Sequence, residues 1–233
     1  MAAKRRIFAM GGGGFAMEPE NPRLDDFVLG LVDPKTPRVC LIPTASGDSD
    51  SIVTRFQNAF PRERADASVL SLFRGTVIDV RAHLLAQDII YVTGGNTRNM
   101  LALWKLWGVD TILREAYEAG IVLAGLSAGS ICWFEHGITD SWPGELRAMP
   151  CLGFLRGSHC PHYDGEANRR PTYQRLIAAQ VIPDGLAADD GVGLLYEDEQ
   201  LVDVVRSRQN VAAWRVEHVG GSAVETRIPA RML

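Results

Sequence analysis

Ile121, Val122, Leu123 and Ala124 form an apolar run that passes without a linker into Gly125-Leu126-Ser127-Ala128-Gly129. Consecutive apolar positions fit a strand covered on both faces, and that requires a parallel sheet with helices on either side. The five residues that follow read as a Gly-x-Ser-x-Gly turn, leading to a helix predicted to open at Ser130-Ile131-Cys132-Trp133-Phe134. In such an elbow the glycines allow strand and helix to approach closely, and the serine hydroxyl is lifted above the sheet edge. The serine would lie at the positive end of the helix, with the Ala128 N–H directed at an oxyanion. The alternative is a solvated serine in a small-residue turn.

Strand and helix patterns alternate through the first 135 residues, the signature of a parallel sheet between two helical layers. Predicted strands are Arg6 to Met10, Arg38 to Ile42, Val69 to Phe73 and Asp88 to Val92. Between them lie predicted helices over 22–31, from a cap at Asp48-Ser49-Asp50 to about Phe60, and over 77–86. The fourth strand runs into Thr93-Gly94-Gly95-Asn96-Thr97. Two glycines at the carboxyl end of a buried strand let backbone N–H groups approach a ligand, so Gly94 and Gly95 are candidates for the second half of an oxyanion hole. Asn96 and Thr97 are candidate substrate contacts, or the N-cap of the helix carrying Met100, Leu101, Leu103, Trp104 and Trp107. A helix over 110–119 with Gly120 as its stop leads to the elbow strand. An irregular stretch is expected after the elbow helix, then a helix over 168–180, then short strands over 191–196, 201–205, 211–216 and 224–228 that complete the sheet antiparallel and form a hairpin.

The 233 residues show no internal repeat and no low-complexity linker, so a single domain over 1–233 is expected. A net charge of −4 argues against a nucleic-acid surface. No apolar run reaches the roughly 20 residues that cross a bilayer. Four consecutive glycines at 11–14 interrupt the apolar segment behind Lys4-Arg5-Arg6, which favours a first strand and a glycine-rich turn over a secretory signal. The cysteines Cys40, Cys132, Cys151 and Cys160 lack paired spacing, as expected of reduced thiols in a cytoplasmic protein.

A serine hydroxyl needs a positioned base. Of five histidines, His83 falls mid-helix, His136 near a helix end and His218 in the late hairpin. His159 and His162 share the stretch after the elbow, where a base could sit. Cys132, five residues past Ser127, is a rival nucleophile; His159, Cys160, His162 and Asp164 could instead bind a metal, although the spacing makes a poor zinc site. A non-enzymatic binding or oligomerisation module is a further alternative.

Thr93-Gly94-Gly95-Asn96-Thr97, Gly125-Leu126-Ser127-Ala128-Gly129, Cys160-Pro161-His162 and Asp189-Asp190-Gly191, in this order, make the sequence resemble the peptidase E (aspartyl dipeptidase) family, a relative of cyanophycinase, from about residue 5 to 205. The resemblance implies an α/β fold of the class I glutamine amidotransferase-like kind: a three-layer α/β/α sandwich with a mostly parallel sheet. It implies Ser127 as nucleophile, Gly95 and Ala128 N–H groups as oxyanion hole, His162 as general base and Asp190 as its orienting acid, with Asp189 as the other candidate. The order Ser, His, acid differs from that of α/β-hydrolases. The expected activity is hydrolysis of small peptides, such as dipeptides with an N-terminal aspartate, by a monomer or homodimer without cofactor, metal, nucleic acid or membrane. An acidic substrate calls for a guanidinium, and Arg169 and Arg170 follow His162 closely enough to be candidates.

Overall fold

The computed structural model describes residues 4–233. In chain order the elements are β1 (Arg6–Met10), α1 (Gly14–Met17), α2 (Arg23–Leu29), β2 (Arg38–Ile42), α3 (Asp50–Ala59), β3 (Asp66–Val69), α4 (Val80–Leu85), β4 (Ile89–Val92), α5 (Thr97–Trp107), α6 (Val109–Glu118), β5 (Val122–Leu126) and α7 (Ala128–Ile131). They continue with β6 (Phe134–Thr139), β7 (Arg147–Pro150), β8 (Leu155–Cys160), α8 (Arg169–Ala178), β9 (Gly185–Ala188), β10 (Val192–Glu197), β11 (Gln200–Arg206), β12 (Ala213–Val219), β13 (Ser222–Ile228) and β14 (Arg231–Met232).

A large sheet has the order β14-β11-β10-β1-β5-β4-β2-β3. Its strands β1, β5, β4, β2 and β3 are parallel, and β10 joins β1 antiparallel. Apolar residues alternate between the two faces, as the two-residue period of a strand requires. Phe8, Met10, Val39, Leu41 and Tyr91 face α1, α2 and α3 through Phe15, Leu24, Phe56 and Phe60. Ile7, Ala9, Cys40, Ile42 and Ile90 face α4, α5 and α6 through Leu84, Met100, Trp104 and Leu113. This is the α/β sandwich with a mostly parallel sheet that the alternating pattern predicts. Among the described residues no helix is long and apolar enough to cross a membrane.

The stretch after β5 departs from expectation. A second sheet, ordered β13-β12-β9-β8-β6-β7, occupies part of the layer shared with α4 to α6. Phe134, Leu155, Leu186 and Ala213 of this sheet belong to the same buried cluster as Ile7 and Ala9. Its other face packs on α8 through Tyr173, Leu176 and Ile177. The residues read as irregular therefore include three strands, and His136 lies on β6 and His159 on β8. Of the late strands, β10 and β11 complete the large sheet, whereas the β12–β13 hairpin belongs to the second. The third strand ends at Val69 rather than beginning there.

The predicted elbow helix is one turn, four residues long. Trp133 O accepts the N–H groups of Phe154 and Leu155 at 2.7 and 2.8 Å, and Cys132 O accepts that of Leu152 at 3.0 Å, so carbonyls that would extend the helix are bound to the chain before β8. The elbow glycines do what their size allows. A Cβ on Gly125 would lie 2.2 Å from Gly129 O, and one on Gly129 would lie 2.3 Å from Val92 O.

Gly129→Ala is therefore expected to force β4 and α7 apart and to lower the unfolding free energy by about 1–3 kcal/mol, the usual cost of overpacking. Gly75→Ala, where nothing lies within 4 Å of the added carbon, should lose only the cost of its positive φ. Urea unfolding of both variants checks this, and equal losses would mean that the elbow contact tolerates a methyl group.

Candidate active site

The glycine-rich turn at the carboxyl end of β1 is the frame of the site. Met10 O accepts the Ser127 N–H at 3.3 Å, Gly11 O the His162 N–H at 3.2 Å and Gly12 O the Gly191 N–H at 2.9 Å. Three consecutive carbonyls thus hold the elbow serine, the histidine after β8 and the residue next to Asp190. The glycines are needed here for space. A Cβ on Gly12 would lie 2.1 Å from Asp190 Oδ1 and 3.0 Å from His162 Cε1.

Ser127 has φ 55° and ψ −116°, an uncommon conformation for a residue with a side chain. Strain of this kind costs about 1–3 kcal/mol and persists where packing over-determines it. Here the packing is the Met10 hydrogen bond, the buried elbow glycines and Gly94, whose Cβ would lie 3.0 Å from Ser127 Cβ. Ser127 is half-buried between buried neighbours, so its hydroxyl is the reachable group of the elbow.

Ala128 opens α7, and the first N–H of a helix has no acceptor within it. Among the described residues neither the Ala128 nor the Gly95 N–H has a hydrogen-bond acceptor. Gly95, at φ +135°, presses on Ala45, where a Cβ would overlap the carbonyl oxygen at 2.1 Å. With α7 only one turn long, its dipole is small, and local N–H groups are what this end offers an anion.

His162 is buried, adopts φ 53°, and its Nδ1 lies 2.5 Å from Asp190 Oδ1. Burial alone would raise the Asp190 pKa, but the His162 hydrogen bond, with the charges of His162, Arg208 and Arg169, outweighs it and holds the carboxyl below the usual range. Asp189 is committed elsewhere: its oxygens accept from Ala212 N–H at 2.8 Å and Trp214 Nε1 at 3.2 Å. Burial is the leading cause that raises its pKa. Of the two candidate acids, Asp190 alone contacts the histidine.

Other candidates have structural places. Asn96 Oδ1 caps α5 by accepting from Asn99 N–H at 2.9 Å, and its amide donates to Ser141 O at 3.2 Å. Thr97 is buried and bonded to Thr139 at 3.2 Å. Arg169 is buried, with Nε 2.6 Å from Glu166 and Nη1 donating to Ile138 O at 3.3 Å. Arg170 pairs with Glu225 at 2.6 Å and lies over Trp214. Both guanidiniums are bound to carboxylates of the chain itself, Arg169 in a buried place and Arg170 in an exposed one, which corrects the expectation drawn from their closeness to His162 in sequence. Cys132 is buried, and burial pushes its thiol pKa far above the ordinary value, so it supplies no thiolate. His159 is stacked on Phe134, bonds Leu186 O through Nδ1 at 2.9 Å and is driven by burial to a pKa of about 3. Among the described residues no three His, Cys, Asp or Glu side chains group to hold a metal ion.

Gly11, Gly12 and Arg208 are site residues that the sequence reading did not name, and Asp164, named there only as a possible metal ligand, joins Arg208 in bonding the Asp190 backbone. The run of four glycines at a strand end was the available signal for the first two. Two carbonyls are then free to accept, and a side chain can pack directly on the backbone.

Asp25 lies under the same turn. Tyr91 donates to its Oδ1 at 3.0 Å, and a Cβ on Gly14 would come within 3.0 Å of that oxygen. Burial raises the Asp25 pKa to about 7 from 3.8. Between those values the folded protein holds a proton that the unfolded chain has released, so stability should fall as pH rises from about 4 to about 7, by at most about 1.4 kcal/mol per unit. Asp25→Asn should remove that slope in urea unfolding measured at several pH values. An unchanged slope would mean that Asp25 ionises normally in the fold.

Comparison with known proteins places this geometry in a family. The family model for peptidase family S51 matches residues 7–204. The uncharacterised peptidase YgaJ of Bacillus subtilis strain 168 is 49% identical over 229 residues, covering 98% of this chain and 99% of that protein. The uncharacterised peptidase Lin0382 of Listeria innocua is 28% identical over 148 residues, 60% of this chain and 70% of its own. The crystal structure of a peptidase from an acI-B1 actinobacterium shares the fold with a TM-score of 0.71 at 17% identity, covering 99% of this chain and 95% of that one. With the match running from the first residues of β1 through the elbow and the His162–Asp190 pair into β11, the chain belongs to peptidase family S51, the peptidase E family.

Proposed function

We propose that this peptidase acts through an acyl-serine intermediate. The supporting observation is the suspension of Ser127, His162 and the Asp190 turn from three consecutive carbonyls, with Asp190 bonded to His162 Nδ1 and no hydrogen bond on Nε2 among the described residues. Ser127 Oγ attacks the scissile carbonyl while His162 Nε2 takes its proton. The negative oxygen of the tetrahedral adduct is held by the Gly95 and Ala128 N–H groups. His162 then gives the proton to the leaving amine as the C–N bond breaks, and water, activated by the same imidazole, releases the acid from Ser127. Asp190 keeps the imidazole in the Nδ1–H tautomer and stabilises its charged form.

For substrate we infer small peptides, with an N-terminal aspartate preferred. With Arg169 and Arg170 engaged, the guanidinium that supports this is Arg98, just beyond Gly94 and Gly95. It is exposed, lies over the Trp142 ring at 5.2 Å, and has no carboxylate partner among the described residues.

Ser127→Ala should leave the fold intact and cut kcat/KM by at least about a thousandfold, and His162→Ala similarly, because the members of such a unit act together. Full turnover of a dipeptide by Ser127→Ala would remove the acyl-serine. A panel of Asp-Leu and Ala-Leu addresses the preference. Arg98→Ala should raise KM for Asp-Leu about ten- to a hundredfold and hardly change Ala-Leu. Equal cleavage of both peptides by the parent would refute the acidic preference.

A further inference from the structure

An aspartate side chain is short, so the direction of its carboxylate is set by where its backbone is held. At Asp190 both backbone polar groups are bound by charged side chains. Asp164 Oδ1 accepts the Asp190 N–H at 2.8 Å, and Arg208 Nε donates to the Asp190 carbonyl oxygen at 2.9 Å. The two clamping groups are themselves close, with Arg208 Nη2 3.7 Å from Asp164 Oδ2. The same Nη2 lies 4.0 Å from Asp190 Oδ2, the oxygen that does not bond His162. Arg208 Nη1 is 3.6 Å from Glu18 Oε1, which ties the clamp to the segment after α1.

The path of the arginine is built into the fold. Gly191 has φ +80°, and a Cβ there would lie 2.9 Å from Arg208 Cγ and Nε, so the stem rests on the glycine backbone. Ser207 N–H donates to Gly191 O at 2.8 Å and holds the two segments in register. On the other side a Cβ on Gly165 would lie 2.6 Å from Asp190 Oδ2. The carboxylate is thus boxed by Gly12, Gly165, His162 and Arg208. An exposed ion pair alone is worth little, but here the charged groups bind backbone atoms whose position sets the aim of a partly buried carboxylate.

We propose that Arg208 and Asp164 are positioning residues that act through Asp190 on His162, fixing the backbone so that Oδ1 faces Nδ1 and supplying a cation beside Oδ2. The catalytic consequences rest on the serine-peptidase reading; the geometric one does not. Two readouts separate them: dipeptide kinetics, and the low-field proton resonance of His162 Nδ1–H, which reports its hydrogen bond to Asp190 whether or not a peptide is cleaved.

Arg208→Met keeps the stem and removes the donors. It should lower kcat about ten- to a hundredfold with KM within about twofold, and move the resonance upfield. Arg208→Lys, which restores the charge, should recover part of both. Asp164→Ala should behave as Arg208→Met does, and Asp164→Asn, whose amide oxygen can still accept the Asp190 N–H, should lose less. An Arg208→Met protein with parental kcat and an unmoved resonance overturns the proposal, as does a loss confined to KM. If Ser127→Ala keeps its activity while Arg208→Met still shifts the resonance, the serine mechanism fails and the clamp stands.

Discussion

The site depends on the main-chain turn after β1. Gly11 and Gly12 leave two carbonyls and a bare backbone at the centre of the sheet, where Asp189, Asp190 and His162 pack close enough that a single methyl group would collide. Ser127 comes from the strand on one side of β1 and Asp190 from the turn into the strand on the other; His162 follows a strand of the second sheet. Backbone hydrogen bonds to one rigid turn are the means of bringing three distant segments to a common geometry without a long side chain to bridge them. The second sheet owes its functional importance to this. It packs on the large sheet through Phe134, Leu155 and Leu186 and so delivers His162 to Gly11 O.

Strain and burial concentrate at the same place. Ser127 and His162 both have positive φ, and each such residue costs about 1–3 kcal/mol that the surrounding apolar core must offset. The electrostatics sort the nearby carboxyls by partner. Asp190 has an imidazole and a guanidinium and stays ionised, whereas Asp25 has mainly a phenol and burial, so its pKa is pushed to about 7. Burial likewise raises Asp189, whose two donors are a backbone amide and an indole that carry no charge. Carboxyls so near each other in space thus differ in protonation because of what donates to them.

Much of the frame was legible in the residues themselves. Ile7 to Met10, Val39 to Ile42, Ile89 to Val92 and Val122 to Leu126 are buried along nearly their whole length, and strands covered on both faces write that fact as unbroken apolar runs. The Asn96 cap and the Gly125–Gly129 approach were legible for the same reason: each depends on one residue type and local geometry. The second sheet was not, since β6 and β8 mix Glu135, His136, Arg156 and Ser158 among their apolar residues and follow no clean period. The length of α7 was equally hidden, because it is limited by hydrogen bonds to residues about 20 positions further along the chain.

The sequence by itself determined the parallel α/β frame, the elbow around Ser127 and the stretch that carries His159 and His162, since these follow from apolar runs, glycine spacing and the small number of histidines; the choice of His162 and of the acid at 189–190 came from the resemblance to the peptidase E family. Only the tertiary structure decided that Asp190 rather than Asp189 meets His162, that Arg169 and Arg170 are bound to carboxylates, and that Asp164 and Arg208 bond the backbone of Asp190. Adjacent residues on a turn point in different directions, and a charged side chain settles on whichever partner the fold brings within reach, which spacing along the chain does not encode.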